Sequence, residues 1–308
     1  MVADLFTRHP DNPILTAEDI PYPCGALSSP GATIADGETV LLLRVEDRRG
    51  MSHLTVARSA DGLADWRVDP RPSWLPSPGT HPDELWGIED ARITAMEAEG
   101  DPRWLISYCA SGPGGRLIGL ASTEDFARFE RLGVAFPPDN RAAALFPRRF
   151  DGRYAMLHRP AGADGAHVWL SMSPDLRHWG DHRMLLLARS GGWWDAGRVG
   201  LATPPLQTPD GWLVMYHGQR RTRSGPVYRL GLALLDGDDP RRLLVRGDEW
   251  VFAPREIYER GGDEANVPTP RGWTIHGDEL RVYYGAAGSG IALARASLAD
   301  ISSWLYCR

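Results

Sequence analysis

The stretch Trp212-Leu213-Val214-Met215-Tyr216-His217, answered after a polar turn by Tyr228-Arg229-Leu230-Gly231-Leu232-Ala233, decides the fold. Each half is a short run of aliphatic and aromatic residues too brief for a helix, and the Gln, Arg, Thr, Ser, Gly and Pro between them make a turn. The unit is a β-hairpin, and it recurs. Val40–Arg44 precedes His53–Ser59, Trp104–Tyr108 precedes Leu117–Ser122, Arg153–His158 precedes His167–Ser173, and Leu280–Tyr284 precedes Ile291–Ala296. Trp66, Phe129 and Trp179 repeat as an aromatic shortly after a serine in three copies. Five hairpin repeats at intervals of roughly 50 to 67 residues predict an all-β chain built as a five-bladed β-propeller. A β-sandwich is the alternative, but it does not explain the period. In a propeller the ends of equivalent strands meet near the axis, so Arg44, Tyr108, His158-Arg159, His217 and Tyr284 are expected to converge. We take residues 24–308 as one catalytic domain and residues 1–23 as an N-terminal arm.

Composition narrows the function. The chain is 43% hydrophobic with 34 glycines and 25 prolines, as a folded β-protein should be. Its formal charge of -6 argues against nucleic-acid binding, which needs a broad basic surface. No apolar run approaches the roughly 20 residues of a membrane span, and no leader-like segment opens the chain, so a cytoplasmic protein is expected. Cys24, Cys109 and Cys307 are odd in number and far apart, which suits reduced thiols and neither a disulfide framework nor a metal site. No metal-ligand or nucleotide-loop spacing occurs; Gly112-Pro113-Gly114-Gly115 lies between strand-like segments and reads as a hairpin turn. The expectation is no metal and no cofactor. Twelve tryptophans suit stacking on sugar rings, although most will fill the core.

Gly87-Ile88-Glu89-Asp90-Ala91-Arg92 places two carboxylates beside a guanidinium. As a regular strand it would set Asp90 and Arg92 on one face and Glu89 on the other. Taken alone, it fits an ordinary surface ion pair as well as a site.

The weight of that segment changes in company. Asn12-Pro13-Ile14-Leu15, Leu43-Arg44-Val45-Glu46-Asp47, Gly87–Arg92, Leu145-Phe146-Pro147 with His158-Arg159-Pro160, Pro204-Pro205-Leu206 ahead of Tyr216-His217-Gly218, and Tyr283-Tyr284-Gly285-Ala286-Ala287 occur in this order. Together they resemble glycoside hydrolase family 130, the β-mannoside phosphorylases and related mannosidases. The resemblance implies a five-bladed propeller and an inverting phosphorylase that takes an oligosaccharide or disaccharide and phosphate to an α-sugar 1-phosphate. It implies Asp90 as proton donor, acting through a hydroxyl of the bound sugar, with Glu89 structural and Arg92 a brace. A phosphate cradle of Arg141, Arg159, Arg198, His217 and Tyr228, with Asn266 as a further candidate, carries over in the same way. Arg198 stands where the family usually has lysine, which keeps the charge and alters the geometry.

Sugar binding is implied for Arg44 and for the positions of Ser29 and Gly288, where the family usually has asparagine and aspartate. Trp86 and Trp194, the latter in Trp193-Trp194-Asp195, are candidates to stack on the sugar. The two departures suggest a different donor, a contact supplied from another loop, or lost activity. Phosphate is the co-substrate of a phosphorylase, and a second carboxylate base would repel it, whereas a hydrolase needs that base to activate water. A hydrolase of the same fold and a sugar-binding propeller without catalysis are the alternatives. Donor, linkage and oligomeric state stay open.

Overall fold

The computed structural model describes residues 4–98, 100–162, 166–223, 225–261, 264–288 and 290–306. It is all-β, and all five hairpins are present. They are Glu38–Glu46 with Ser52–Ser59, Trp104–Gly112 with Gly115–Thr123, Tyr154–Pro160 with Val168–Ser173, Gly211–Thr222 with Gly225–Leu235, and Glu279–Ala287 with Gly290–Ser297. The Gly112–Gly115 segment closes the second hairpin as expected, with those two glycines paired across the turn.

Each hairpin is the middle of a longer antiparallel run. On one side it gains Ala26–Ala35, Gly87–Ala95, Asn140–Leu145, Arg198–Leu201 or Glu264–His276, in chain order. On the other it gains Arg67–Val68, Glu130–Phe136, Gly180–Leu186 or Leu243–Arg246. The fifth run is completed from the start of the chain, where Thr7–Arg8 and Leu15–Thr16 both pair with Gly290–Ser297. A single parallel pair, Ser52 with Gly87, joins the first two runs, so the strands form four hydrogen-bonded sheets.

Apolar side chains pack between successive runs. Val56 and Leu42 meet Ile106 and Tyr108; Leu105 and Leu120 meet Met156; Leu157 and Leu170 meet Val214 and Tyr216; Met215 and Leu232 meet Val282 and Tyr284. A fifth core, with Leu41 and Leu43 against Tyr283, Ile291 and Leu293, joins the last run to the first. Burying such side chains is worth about 1.5–3 kcal/mol each, so these interfaces carry most of the favourable folding free energy. Two helices, Ile257–Arg260 and Leu298–Tyr306, lie outside the runs, and no helix among the described residues is long and apolar enough to cross a membrane. Cys24 and Cys109 are free thiols; Cys307 lies outside the described residues.

The first strand of each run matters most for function, and four of the five are bulged. A non-glycine residue with positive φ sits within a register shift in each: Ser29 (50°), Asp90 (59°), Ala142 (53°) and Asn266 (61°). A bulge sets extra residues against the partner strand and re-aims their side chains. It breaks the regular alternation expected for Glu89–Arg92. Glu89 and Asp90 both face one pocket, while Arg92 turns beneath it, buried.

Candidate active site

Arg92 builds the floor. Its Nε and Nη2 donate to the carbonyls of Ala202 and Leu201, 2.9 and 3.0 Å away in the fourth run, and its Nη1 donates to the Asp90 carbonyl at 3.1 Å. The guanidinium thus fixes the bulge that presents Asp90, the bracing role expected of it. Burial, and then Arg271, push Arg92 down to about 9. Above it lies a cavity of about 230 Å³ lined by residues from all five runs. Eight of the residues singled out in the sequence face this cavity: Ser29, Arg44, Asp90, Arg141, Arg159, Arg198, His217 and Tyr228.

One wall is cationic. Arg159, on Tyr154–Pro160, is paired in register with Arg141 on the neighbouring strand, and Arg198 opens the next run. Among the described residues neither Arg159 nor Arg198 has a carboxylate within ion-pair distance, and the Arg159 Nε is buried without a hydrogen-bond partner. Burial, then Arg141, Arg198 and Arg271, press the Arg159 guanidinium down to about 10, which leaves it charged at neutral pH. Arg141 pairs only with Asp139 at the rim, at 3.3 Å. Burial, followed by Arg159, Arg271 and Arg92, holds His217 well below the usual histidine range, so it is a neutral imidazole offering one N–H. Gly200 makes room for this wall, since a Cβ there would stand 2.6 Å from His217 Cε1 and 2.9 Å from Arg159 Cδ.

The other wall carries its charges in pairs. Asp90 Oδ2 accepts from Arg271 Nη2 at 3.1 Å, and Arg271 Nε stands 3.0 Å from Oδ1. Burial works to raise the Asp90 pKa, but Arg271, Arg92 and Arg44 outweigh it and hold the carboxyl well below the usual range. In the unliganded site Asp90 is therefore ionised. Glu89 is bound between Arg44 and Arg116, at 3.2 and 3.1 Å, and Arg44 also reaches Glu46 and Ser52. The Cys109 thiol on this wall is pushed up by burial, then by Glu89 and Asp90, and is no nucleophile.

The other residues singled out in the sequence lie elsewhere. Trp194 is core: it stacks on Tyr216 at 5.5 Å, donates its N–H to the Asp248 carbonyl and packs over Gly218 and Gly231, leaving no face for a sugar. Trp86 is exposed and lines a groove running from the pocket past Arg44, Glu89 and Arg116. Asn266 is an exposed bulge residue beside Val267, which does line the cavity; the Gly288 carbonyl accepts from the Leu27 N–H. Three of the expected strand ends do not converge. Tyr108 donates to Glu84, Tyr284 donates to Glu259, and His158 is buried against Asn140 and Ser171, because each points to the opposite face of its strand. Sequence reasoning missed Arg271, Arg116 and Thr269. Pro268-Thr269-Pro270-Arg271-Gly272 reads as a loop, since proline supplies no ladder N–H, and only a cation between two turn-forming residues hints at a site.

Comparison with known proteins gives a consistent picture. A family model described as beta-1,4-mannooligosaccharide phosphorylase, glycoside hydrolase family 130, matches residues 29–307. The chain is 29% identical to a beta-1,4-mannooligosaccharide phosphorylase of Ruminococcus albus, over 98% of this chain and 91% of that one. It is 35% identical to a beta-1,2-mannobiose phosphorylase of Listeria innocua, over 82% and 68%. A solved structure of a Listeria innocua beta-1,2-mannobiose phosphorylase with beta-1,2-mannobiose superposes with a TM-score of 0.88 at 30% identity, covering 98% and 99% of the two chains.

Proposed function

The chain belongs to glycoside hydrolase family 130, and from that premise we propose that it is an inverting phosphorylase cleaving a β-mannoside or close relative with inorganic phosphate. The observation that carries this reading is the cationic wall. Among the described residues Arg159 and Arg198 are held without counter-ions beside a neutral His217, across a small cavity from a single placed acid. Guanidinium forks bind phosphate oxygens through charge-assisted hydrogen bonds. Inverting hydrolysis would need a second carboxylate to activate water, and the cavity's one other carboxylate among the described residues, Glu89, is engaged by two arginines.

In the proposed reaction a phosphate oxygen attacks the anomeric carbon from the face opposite the aglycone. The C–O bond to the leaving sugar breaks as the new C–O–P bond forms, inverting β to α. Asp90, in its acid form, supplies a proton through a sugar hydroxyl to the leaving oxygen. Hydrogen phosphate brings one proton and the sugar phosphate dianion keeps none, so the proton that appears on the released hydroxyl is balanced. Asp90 is ionised in the unliganded site, so its acid form requires an incoming anion to offset the arginines around it.

In the same reading residues 24–308 are one five-bladed β-propeller, each antiparallel run a blade, with residues 1–23 as an arm. Its support is the set of five interfaces, the last run packing on the first. The free Cys24 and Cys109 thiols support a cytoplasmic location. Incubating the protein with β-mannobioses of different linkage, with and without phosphate, tests the function. Sugar 1-phosphate formed only with phosphate is expected; free sugar released at the same rate without it would refute phosphorolysis.

A further inference from the structure

The cavity's charge does not balance for a neutral sugar. Among the described residues six arginines line it against two carboxylates, Glu89 and Asp90, an excess of four positive charges. Glu46 and Asp139 at the edge pair with Arg44 and Arg141, and the charged Arg92 beneath adds one, so the excess is three. A phosphate carries about -1.5 to -2 and leaves at least one positive charge uncovered even while Asp90 is ionised. Once Asp90 is protonated, the state that can donate a proton, another is uncovered, and it sits on the partner that Asp90 gives up, Arg271.

The contact is also incomplete as it stands. Arg271 Nη2 makes a hydrogen bond to Asp90, but its Nε, 3.0 Å from Oδ1, is buried and misaligned, without a hydrogen-bond partner. The Nη1 donates to the Pro270 carbonyl at 3.0 Å, which fixes the guanidinium's orientation. The guanidinium is therefore held in place with one donor unmet, beside Ser29 and Thr269, on the wall opposite the cationic one. A sugar hydroxyl cannot replace the carboxylate on a guanidinium at equal cost, whereas another carboxylate can.

We propose that the donor subsite is built for a sugar carrying a carboxylate, a β-linked hexuronosyl unit, whose anionic group takes Arg271 from Asp90. The exchange leaves Asp90 free to take up a proton without adding to the positive charge of the site. Arg271 is thus the residue that decides donor specificity. The proposal rests on the phosphorylase reading and names the substrate class of that site.

Calorimetry with D-mannuronate and D-mannose, then with their α-1-phosphates, on the intact protein and on Arg271→Gln and Arg271→Lys tests it. The expected result is mannuronate binding at least about tenfold tighter than mannose, a preference lost in Arg271→Gln and weakened in Arg271→Lys, which keeps the charge and loses the fork. Equal binding of the two sugars, no binding of mannuronate, or a preference that survives Arg271→Gln would overturn it. The 1-phosphates separate the two claims. Tight mannose 1-phosphate binding without a uronate preference removes the specificity proposal and leaves the phosphorylase. A mannuronate preference that depends on Arg271, with neither 1-phosphate bound more tightly than its free sugar, keeps the carboxylate subsite and removes phosphorolysis.

Discussion

The two walls of the cavity solve opposite problems. On the cationic wall Arg159 and Arg198 have no counter-ion among the described residues, so the proposed anion would be met there without the exchange of an existing pair. On the acid wall the charges are already paired, Asp90 with Arg271 and Glu89 with Arg44 and Arg116, so a ligand must exchange partners before chemistry starts. In the proposed reading, affinity for phosphate therefore resides in pre-placed groups of the third and fourth runs. Selectivity for the donor resides in what can reopen pairs set by the first, second and fifth.

Four changes would break or sharpen this contrast. The largest effect is expected for Asp90→Asn, which keeps the shape of the acid wall and removes its proton. Turnover measured at saturating phosphate should fall about a thousandfold, within the range for loss of a general acid, with phosphate affinity retained or improved. Near-normal turnover would move the acid elsewhere. Next is Arg159→Gln, which removes a pre-placed cation. The phosphate KM should rise roughly 10- to 100-fold, as expected for a hydrogen bond to a charged group, while slow sugar release without phosphate changes little.

Gly200→Ala probes the same wall without deleting any ligand-binding group. Its Cβ would stand 2.6 Å from His217 Cε1 and 2.9 Å from Arg159 Cδ, so both must shift. Phosphate KM should rise about tenfold with the donor KM nearly unchanged, because a displacement of this kind weakens hydrogen bonds on one side only. Equal loss of both substrates would show that the walls are not independent.

The smallest effect concerns acid. His217 is held neutral well below the usual range, and burial, then His182, push His158 down to about 3. Both folded pKa values are depressed, so the unfolded chain takes up protons that the folded chain does not. Stability is full above the ordinary histidine pKa near 6.5 and falls as pH drops toward the folded values, by about 1.4 kcal/mol per pH unit for each group. Asp90 stays ionised through this window, so acid strains the cationic wall first. Denaturant unfolding between pH 7 and 5 should show this slope, reduced by one group's share in His217→Gln.

How much was legible in the sequence follows from where the chain is regular. The hairpins are simple alternating strands, and their apolar runs identified every one of them. The first strands were not visible: Gly87–Ala95, Asn140–Leu145 and Glu264–His276 are bulged, and Ala26–Ala35 and Glu264–His276 carry proline and glycine, which read as turns. These strands supply Ser29, Asp90, Arg141 and Arg271, and the four-residue strand Arg198–Leu201, too short to read, supplies Arg198, so the scaffold was readable and much of the site was not. The family resemblance singled out four of these five residues, of which only Asp90 stands in a quoted motif. Arg271 belonged to no motif, and only the fold brings it across 181 positions to Asp90. Trp194 misled because an adjacent pair of tryptophans looks like a sugar platform, yet Gly218 and Gly231 make space for it in the core.

If phosphate and acid occupy facing walls of one cavity, a crystal of the protein soaked in phosphate should show an anion bonded by Arg159 and Arg198, with His217 donating and Asp90 on the opposite side. An anion seated instead on Arg271 and Arg44, or a cavity left without one at saturating phosphate, would contradict it.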